Sequence, residues 1–341
     1  MQVDTPGRNG IVRYLVTGGA GFIGSHLVDT LIARGDSVLV LDDLSTGRRA
    51  NLDAAIESGR TELVEGSVCD SRLVLDCMQS VDVCLHLASA VGVKLILDRP
   101  VESLLTNIRG TDVVISAAAL LQRRLLYTST SEVYGKNSQG ALPEDSDRIL
   151  GPALTARWNY STAKAFGEAL AAGYHREQGA EMIIVRLFNT VGPRQRGVYG
   201  MVLPRFIRQA LAGLDLTVYG DGSQSRCFAH VSDTVRAITL LLDSDDSLGE
   251  AFNIGGTTEL TILELARRVI ERTGSSSRIR MVAYEDAYED GFEELGRRKP
   301  DTTAIERLVG WTPERTIDDA IDDVRAYELE PRRPYGTVSV A

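Results

Sequence analysis

The chain is expected to adopt an α/β fold with one parallel sheet wound in both directions, and three observations predict it. Short apolar runs at 11–16, 37–42, 61–65, 82–87, 124–129 and 181–187 alternate with helical stretches near 22–34, 45–58, 72–79, 101–121 and 156–178. Strands separated by helices of that length pair in parallel, with helices covering both faces. The first run leads into Thr17-Gly18-Gly19-Ala20-Gly21-Phe22-Ile23-Gly24-Ser25-His26, a G-x-x-G-x-x-G turn. The second run ends on Asp42-Asp43, about twenty residues further on. Together these define a Rossmann-like sheet, whose ligands bind outside the carboxyl ends of its strands.

The first strand ends near Val16, and the glycine turn follows it directly. Ile23, Leu27, Leu31 and Ile32 then recur at near-helical spacing. A strand, a glycine turn and a helix N-terminus form a pyrophosphate cradle, because backbone N–H groups converge and missing side chains allow close approach. At the end of the second strand, Asp42 is placed to take the ribose hydroxyls of NAD and to repel the extra phosphate of NADP. The polar residues considered below follow directly after strands, which is where such a sheet carries its chemistry. Beyond Asn189 the rhythm loosens. Met201 to Ala212 reads as a helix, Thr217 to Ser223 as a short strand and turn, and Leu260 to Thr273 as an amphipathic helix. The expected organisation is a dinucleotide domain over 11–188 and a smaller substrate-binding lobe over 189–328, with segments returning to the first. A tail over 329–341 contains Pro331-Arg-Arg-Pro334.

Composition narrows the function classes. With 341 residues the chain is long enough to bury a substantial core. Its 47 acidic and 37 basic residues give a net charge of −10, which argues against nucleic acid as a partner. No apolar stretch approaches the roughly eighteen residues that a membrane span needs. Met1 to Asn9 is polar and lacks the apolar centre of a secretory signal, so a cytoplasmic location is expected. Cys69, Cys77, Cys84 and Cys227 have no ligand spacing and read as buried small hydrophobes, and none of the four histidines falls in a metal-binding pattern. No metal is expected.

The chemistry-bearing residues follow the fifth strand. Thr128-Ser129-Thr130-Ser131-Glu132-Val133-Tyr134-Gly135 comes first, and Tyr160-Ser161-Thr162-Ala163-Lys164 follows. Tyr160 and Lys164 share one helix face. A nearby ammonium favours the phenolate, so the Tyr160 pKa is expected to fall toward neutrality and make it a usable base. The Thr130 hydroxyl would orient the oxygen being oxidised while hydride passes to the nicotinamide.

Over residues 11–328 the chain resembles the extended short-chain dehydrogenase/reductase superfamily, in its nucleotide-sugar epimerase/dehydratase/decarboxylase branch. The resemblance is carried by Thr17 to Gly24, His86-Leu87-Ala88, Asn107-x-x-Gly110-Thr111 and Thr128 to Gly135. It continues through Tyr160 to Lys164, Arg186-x-Phe188-Asn189-x-x-Gly192-Pro193, Gly220 to Phe228, Phe252-Asn-Ile-Gly255 and Gly310-Trp-x-Pro313. It implies that NAD is held by Gly18, Gly21, Phe22, Ile23, Gly24 and Asp42. Leu87, Ala88, Asn107, Tyr160 and Lys164 complete that implied set. Tyr160 is implied as base, Lys164 as its partner and Thr130 as the contact to the sugar C4 oxygen. Asn189 matches a diphosphate contact and Arg226 a cation near the diphosphate or a uronate. The segment around Val218 matches one that brackets uracil, so a UDP-sugar and a homodimer are implied.

The branch oxidises a sugar at C4 and then diverges. Glu132 is the ambiguous residue. Ser131-Glu132 and Arg298-Lys-Pro-Asp301 resemble UDP-glucuronate decarboxylases, whereas the loop Leu87 to Lys94 lacks their proline-containing sequence. Arg194-Gln-Arg196 and Lys94 place positive charge where an acidic substrate would want it. The expectation ranks UDP-glucuronate 4-epimerisation, giving UDP-galacturonate, first and UDP-glucuronate decarboxylation to UDP-xylose second. A neutral UDP-hexose epimerase and a non-catalytic nucleotide-sugar or redox sensor follow.

Overall fold

A computed structural model describes residues 10–90, 100–197, 201–283 and 296–330. Lys94, Met1 to Asn9 and the tail from Pro331 onward lie outside the described residues. Among the described residues, seven strands form one sheet: β1 (Arg13–Thr17), β2 (Ser37–Asp42), β3 (Thr61–Glu65), β4 (Val83–His86), β5 (Arg124–Thr130), β6 (Met182–Leu187) and β11 (Ala251–Ile254). Their order is β11-β6-β5-β4-β1-β2-β3, and every pairing is parallel. The chain turns outward from β1 in both directions, so β1 and β4 flank the switch point where a crevice opens.

The period-two alternation of each strand separates two cores. Tyr14, Val16, Val38 and Val40 pack under α1 (Phe22–Ala33) and α7 (Val231–Leu242). Leu15, Leu39, Leu41 and Cys84 face the opposite layer of α3 (Ser71–Gln79), α4 (Pro100–Leu120) and α5 (Asn159–Gln178). A third core joins α6 (Val202–Leu211), α8 (Ile262–Thr273) and α10 (Ile317–Leu329) to β8 (Leu216–Tyr219). No helix among the described residues is long and apolar enough to cross a membrane.

Two segments differ from expectation for local reasons. The expected helix over 45–58 is broken into a 3-10 turn, Arg49–Leu52, and a five-residue helix α2, Asp53–Glu57. Upstream, Asp43 accepts from both the backbone N–H and the hydroxyl of Ser45, and Asp42 accepts from Leu44 N–H. These side chains capture backbone donors that a helix start would need. Leu260 begins no helix either: β12 (Glu259–Thr261) pairs antiparallel with β9 (Ser225–Cys227), and α8 starts behind a Thr261/Glu264 capping box.

Candidate active site

The glycine turn forms at the end of β1. Gly18 has φ of +71°, and a Cβ there would stand 2.8 Å from Ala88 N. A Cβ on Gly24 would stand 2.3 Å from Gly18 O, so the turn and the first residues of α1 touch backbone to backbone. Gly21 caps α1 with no side-chain hydrogen bond, which leaves its N-terminal donors to a ligand; Phe22 and Ile23 open the helix. These are the features a dinucleotide pyrophosphate requires, and the residues fit NAD.

Asp42 has a structural task besides its expected one. Its carboxylate accepts from Ala20 N–H and Leu44 N–H at 2.9 Å each, and burial raises its pKa against those two bonds. It therefore fixes the glycine turn to the end of β2.

Across the switch point, Thr17 organises the loop after β4. Its hydroxyl accepts from Ala88 N–H at 3.2 Å and lies 2.7 Å from His86 Nδ1, and Leu87 N–H donates to Thr17 O. Burial holds the His86 pKa at about 3, so the ring is neutral. The hydroxyls of Thr17, beside Nδ1, and of Thr111, 3.3 Å from Nε2, hold the ring between them. Asn107 Oδ1 accepts from Ser89 Oγ and Ala90 N–H, both at 2.8 Å, and its Nδ2 donates to Ala90 O. Asn107 thereby shapes the loop beside the cradle.

Thr130 ends β5, and its hydroxyl accepts from Glu132 N–H at 3.2 Å. Tyr160, partly buried on α5, hydrogen-bonds with both Thr130 and Ser89. Lys164 is buried, donates to Thr128 O at 2.8 Å, and stands 6.0 Å from the Tyr160 ring centre. Here the expected pKa of Tyr160 is corrected. Burial pushes the phenol well up and the Glu132 charge adds to it, while the hydrogen bonds from Ser89 and Thr130 pull down without prevailing. Burial also brings Lys164 down to about 7, with Glu168 opposing. Burial therefore opposes ionisation of Tyr160 in the site without its cofactor.

Behind Lys164 lies a buried ion pair. Arg186 donates to both oxygens of Glu168 at 2.9 and 2.7 Å, and Ser129 Oγ donates to Glu168 at 2.5 Å. The Tyr134 hydroxyl accepts from Arg186 and donates to Asn253 Oδ1. β5, β6, β11 and α5 are thus tied at the carboxyl edge of the sheet.

Glu132 sits between two guanidiniums. Arg157 Nη1 lies 2.5 Å from one carboxylate oxygen and Arg298 Nη1 2.5 Å from the other. Burial raises the Glu132 pKa, but Arg298 and Arg157 outweigh it and bring it to about 2. Arg298 lies on β14 (Arg297–Arg298), in register with Arg226 on β9, so Arg226 is its neighbour across two parallel strands. Arg226 itself donates to Ser225 O and Gly296 O.

The other expected substrate contacts are more scattered. Asn189 Nδ2 is buried without a hydrogen-bond partner, as a donor awaiting an anion would be. Val218 is fully buried in β8. Arg194, at φ of +68°, turns to Asp29 on α1 at 2.8 Å, and Arg196 donates to Thr46 O. The positive charge of that loop is engaged with α1 and the loop after β2. Ser89 and Arg157 escaped the sequence reading; the signal for Arg157 was its position one helical turn before Tyr160.

The family model for the NAD dependent epimerase/dehydratase family matches residues 14–255. The chain is 41% identical to a UDP-N-acetyl-alpha-D-glucosaminuronate decarboxylase of Bacillus cytotoxicus, over 88% of this chain and 92% of that one. It is 37% identical to UDP-glucuronic acid decarboxylase 1 of Arabidopsis thaliana, over 91% of this chain and 68% of that protein. The UDP-glucuronic acid 4-epimerase of Bacillus cereus, solved with UDP-glucuronic acid and NAD, superposes with a TM-score of 0.83. That match has 27% identity and covers 92% of this chain and 98% of the other.

Proposed function

The chain belongs to the NAD dependent epimerase/dehydratase family, and from that premise we propose that it is an NAD-dependent decarboxylase of a UDP-hexuronate. The observation that carries the reading is Glu132 held between Arg157 and Arg298 beside Thr130 and Tyr160. The expectation from sequence ranked 4-epimerisation first, and the curated relatives, both decarboxylases, support the second-ranked reaction instead. Residues 11–188 would hold NAD and 189–328 the nucleotide sugar. We place a second copy of the chain on α4 and α5, where Val101, Leu105 and Phe166 remain exposed.

NAD, when bound, supplies the acceptor and later the donor of the C4 hydride. Thr130 and Tyr160 hydrogen-bond the C4 oxygen, and Tyr160 takes its proton in the oxidation and returns it in the reduction. The 4-keto uronate is a β-keto acid. Its C5–C6 bond breaks, CO2 leaves, the electron pair passes to the C4 oxygen as an enolate, and C5 takes up a proton from solvent water. Arg298 supplies the countercharge that admits a uronate. As that bond breaks, the negative charge moves from the carboxylate to the C4 oxygen, which Thr130 and Tyr160 hold.

The test is a product assay with UDP-glucuronate and its 2-acetamido analogue, read by NMR and CO2 release. The expected result is one CO2 and one UDP-pentose per sugar consumed. UDP-galacturonate without CO2 would overturn the reading in favour of epimerisation. NAD binding with no turnover of either sugar would point to a sensor.

A further inference from the structure

We propose that Arg157 is a positioning residue that keeps the Glu132 carboxylate paired when Arg298 turns to the carboxylate of the sugar. The proposal rests on the uronate reading above. The three side chains carry two positive charges and one negative, so one cation is in excess, and a substrate carboxylate balances it. The two arginines differ in what holds them. Arg157 lies in the 3-10 turn Ala156–Trp158 that runs directly into α5, and its guanidinium is 5.5 Å from the ring centre of buried Trp158. Arg298 comes from the other lobe on a two-residue strand, and its second contact, to Ser131 Oγ, is long at 3.4 Å.

Arg298 also has a donor in hand: its Nε is buried with no hydrogen-bond partner. A guanidinium binds a carboxylate best as a fork, through two N–H groups. Arg298 therefore has the capacity and the freedom to move to an arriving anion. If it were the sole partner of Glu132, that move would strand a buried carboxylate, which is strongly unfavourable. Arg157 removes the obstacle, so the exchange needs no proton.

The groups facing Glu132 are Arg157 before α5, Arg298 on β14 and the phenol of Tyr160 on α5. With both arginines the carboxyl titrates at about 2. Without Arg157, burial would lift it toward or above the ordinary carboxylate range, and the ionised form would be lost at higher pH.

The experiment compares Arg157→Gln, Arg157→Lys and Arg298→Lys as NAD-loaded enzymes, using whichever of the two UDP-uronates the wild type turns over. Arg157→Gln should lower kcat about tenfold with KM within about threefold. It should also bring into the measurable acid range a kcat limb that the wild type, with Glu132 at about 2, shows only below it, and Arg157→Lys should remove most of that limb. Arg298→Lys should instead raise KM. An unmoved acid limb with only a lower Tm would make Arg157 a packing residue and overturn the proposal. A rise in KM matching that of Arg298→Lys would overturn it too, by placing Arg157 on the substrate. If Arg157→Gln does not fold, the Arg157→Lys limb decides. If the wild type epimerises without releasing CO2, the decarboxylase reading fails alone, because the acid limb is still measurable in that reaction.

Discussion

In the proposed reaction Tyr160 works in a setting that opposes its ionisation: burial raises the phenol, and one N–H of Lys164 is committed to Thr128 O. Replacing it by Phe keeps the ring and removes only the proton carrier. Tyr160→Phe should retain NAD, measured as nucleotide released on denaturation, and lose about 10²–10⁴ in kcat. Undiminished turnover would sink its role. At this scale the chain was partly legible. Tyr160 and Lys164 are four residues apart on one helix, a local relation that spacing reveals. The partners of Arg194 and Arg157 were not legible for the opposite reason: a cation's partner is a long-range matter. Arg194 found Asp29, which a loop charge count does not see, whereas Arg157 found Glu132.

Among the elements, the starts of α1 and α3 differ in purpose. Gly21 leaves the α1 donors uncapped, whereas Asp70 accepts from Arg72 and Leu73 N–H and closes α3. Gly24→Ala would force a Cβ within 2.3 Å of Gly18 O, so it should deform the cradle and release NAD from the purified protein. Asp70→Ala should cost about 1 kcal/mol of stability, seen as a lower Tm, with kcat and NAD content unchanged. NAD retained by Gly24→Ala at the wild-type level would contradict the cradle. Strand positions were readable because both faces of the sheet are buried, so most of its strands read as short continuous apolar runs. The helix over 45–58 failed because Asp42 and Asp43 compete for its backbone donors.

At the scale of the molecule, the exposed Leu105 on α4 and Phe166 on α5 mark the face assigned to a second copy. Light scattering should give the mass of a dimer for the wild type and of a monomer for Leu105→Glu/Phe166→Glu. A wild type that runs as a monomer at all concentrations would remove that assignment. Parallel pairing, by contrast, followed from an elementary rule: strands alternating with helices pair in parallel. Read alone, the chain specified the sheet, the glycine cradle and the Tyr160–Lys164 pair, because each depends on residues close in sequence. Only the folded molecule could bring Arg157 and Arg298, 141 positions apart by their numbers, onto the two oxygens of Glu132. Buried charge is settled by whichever partners the fold delivers, and a linear sequence does not display that distance.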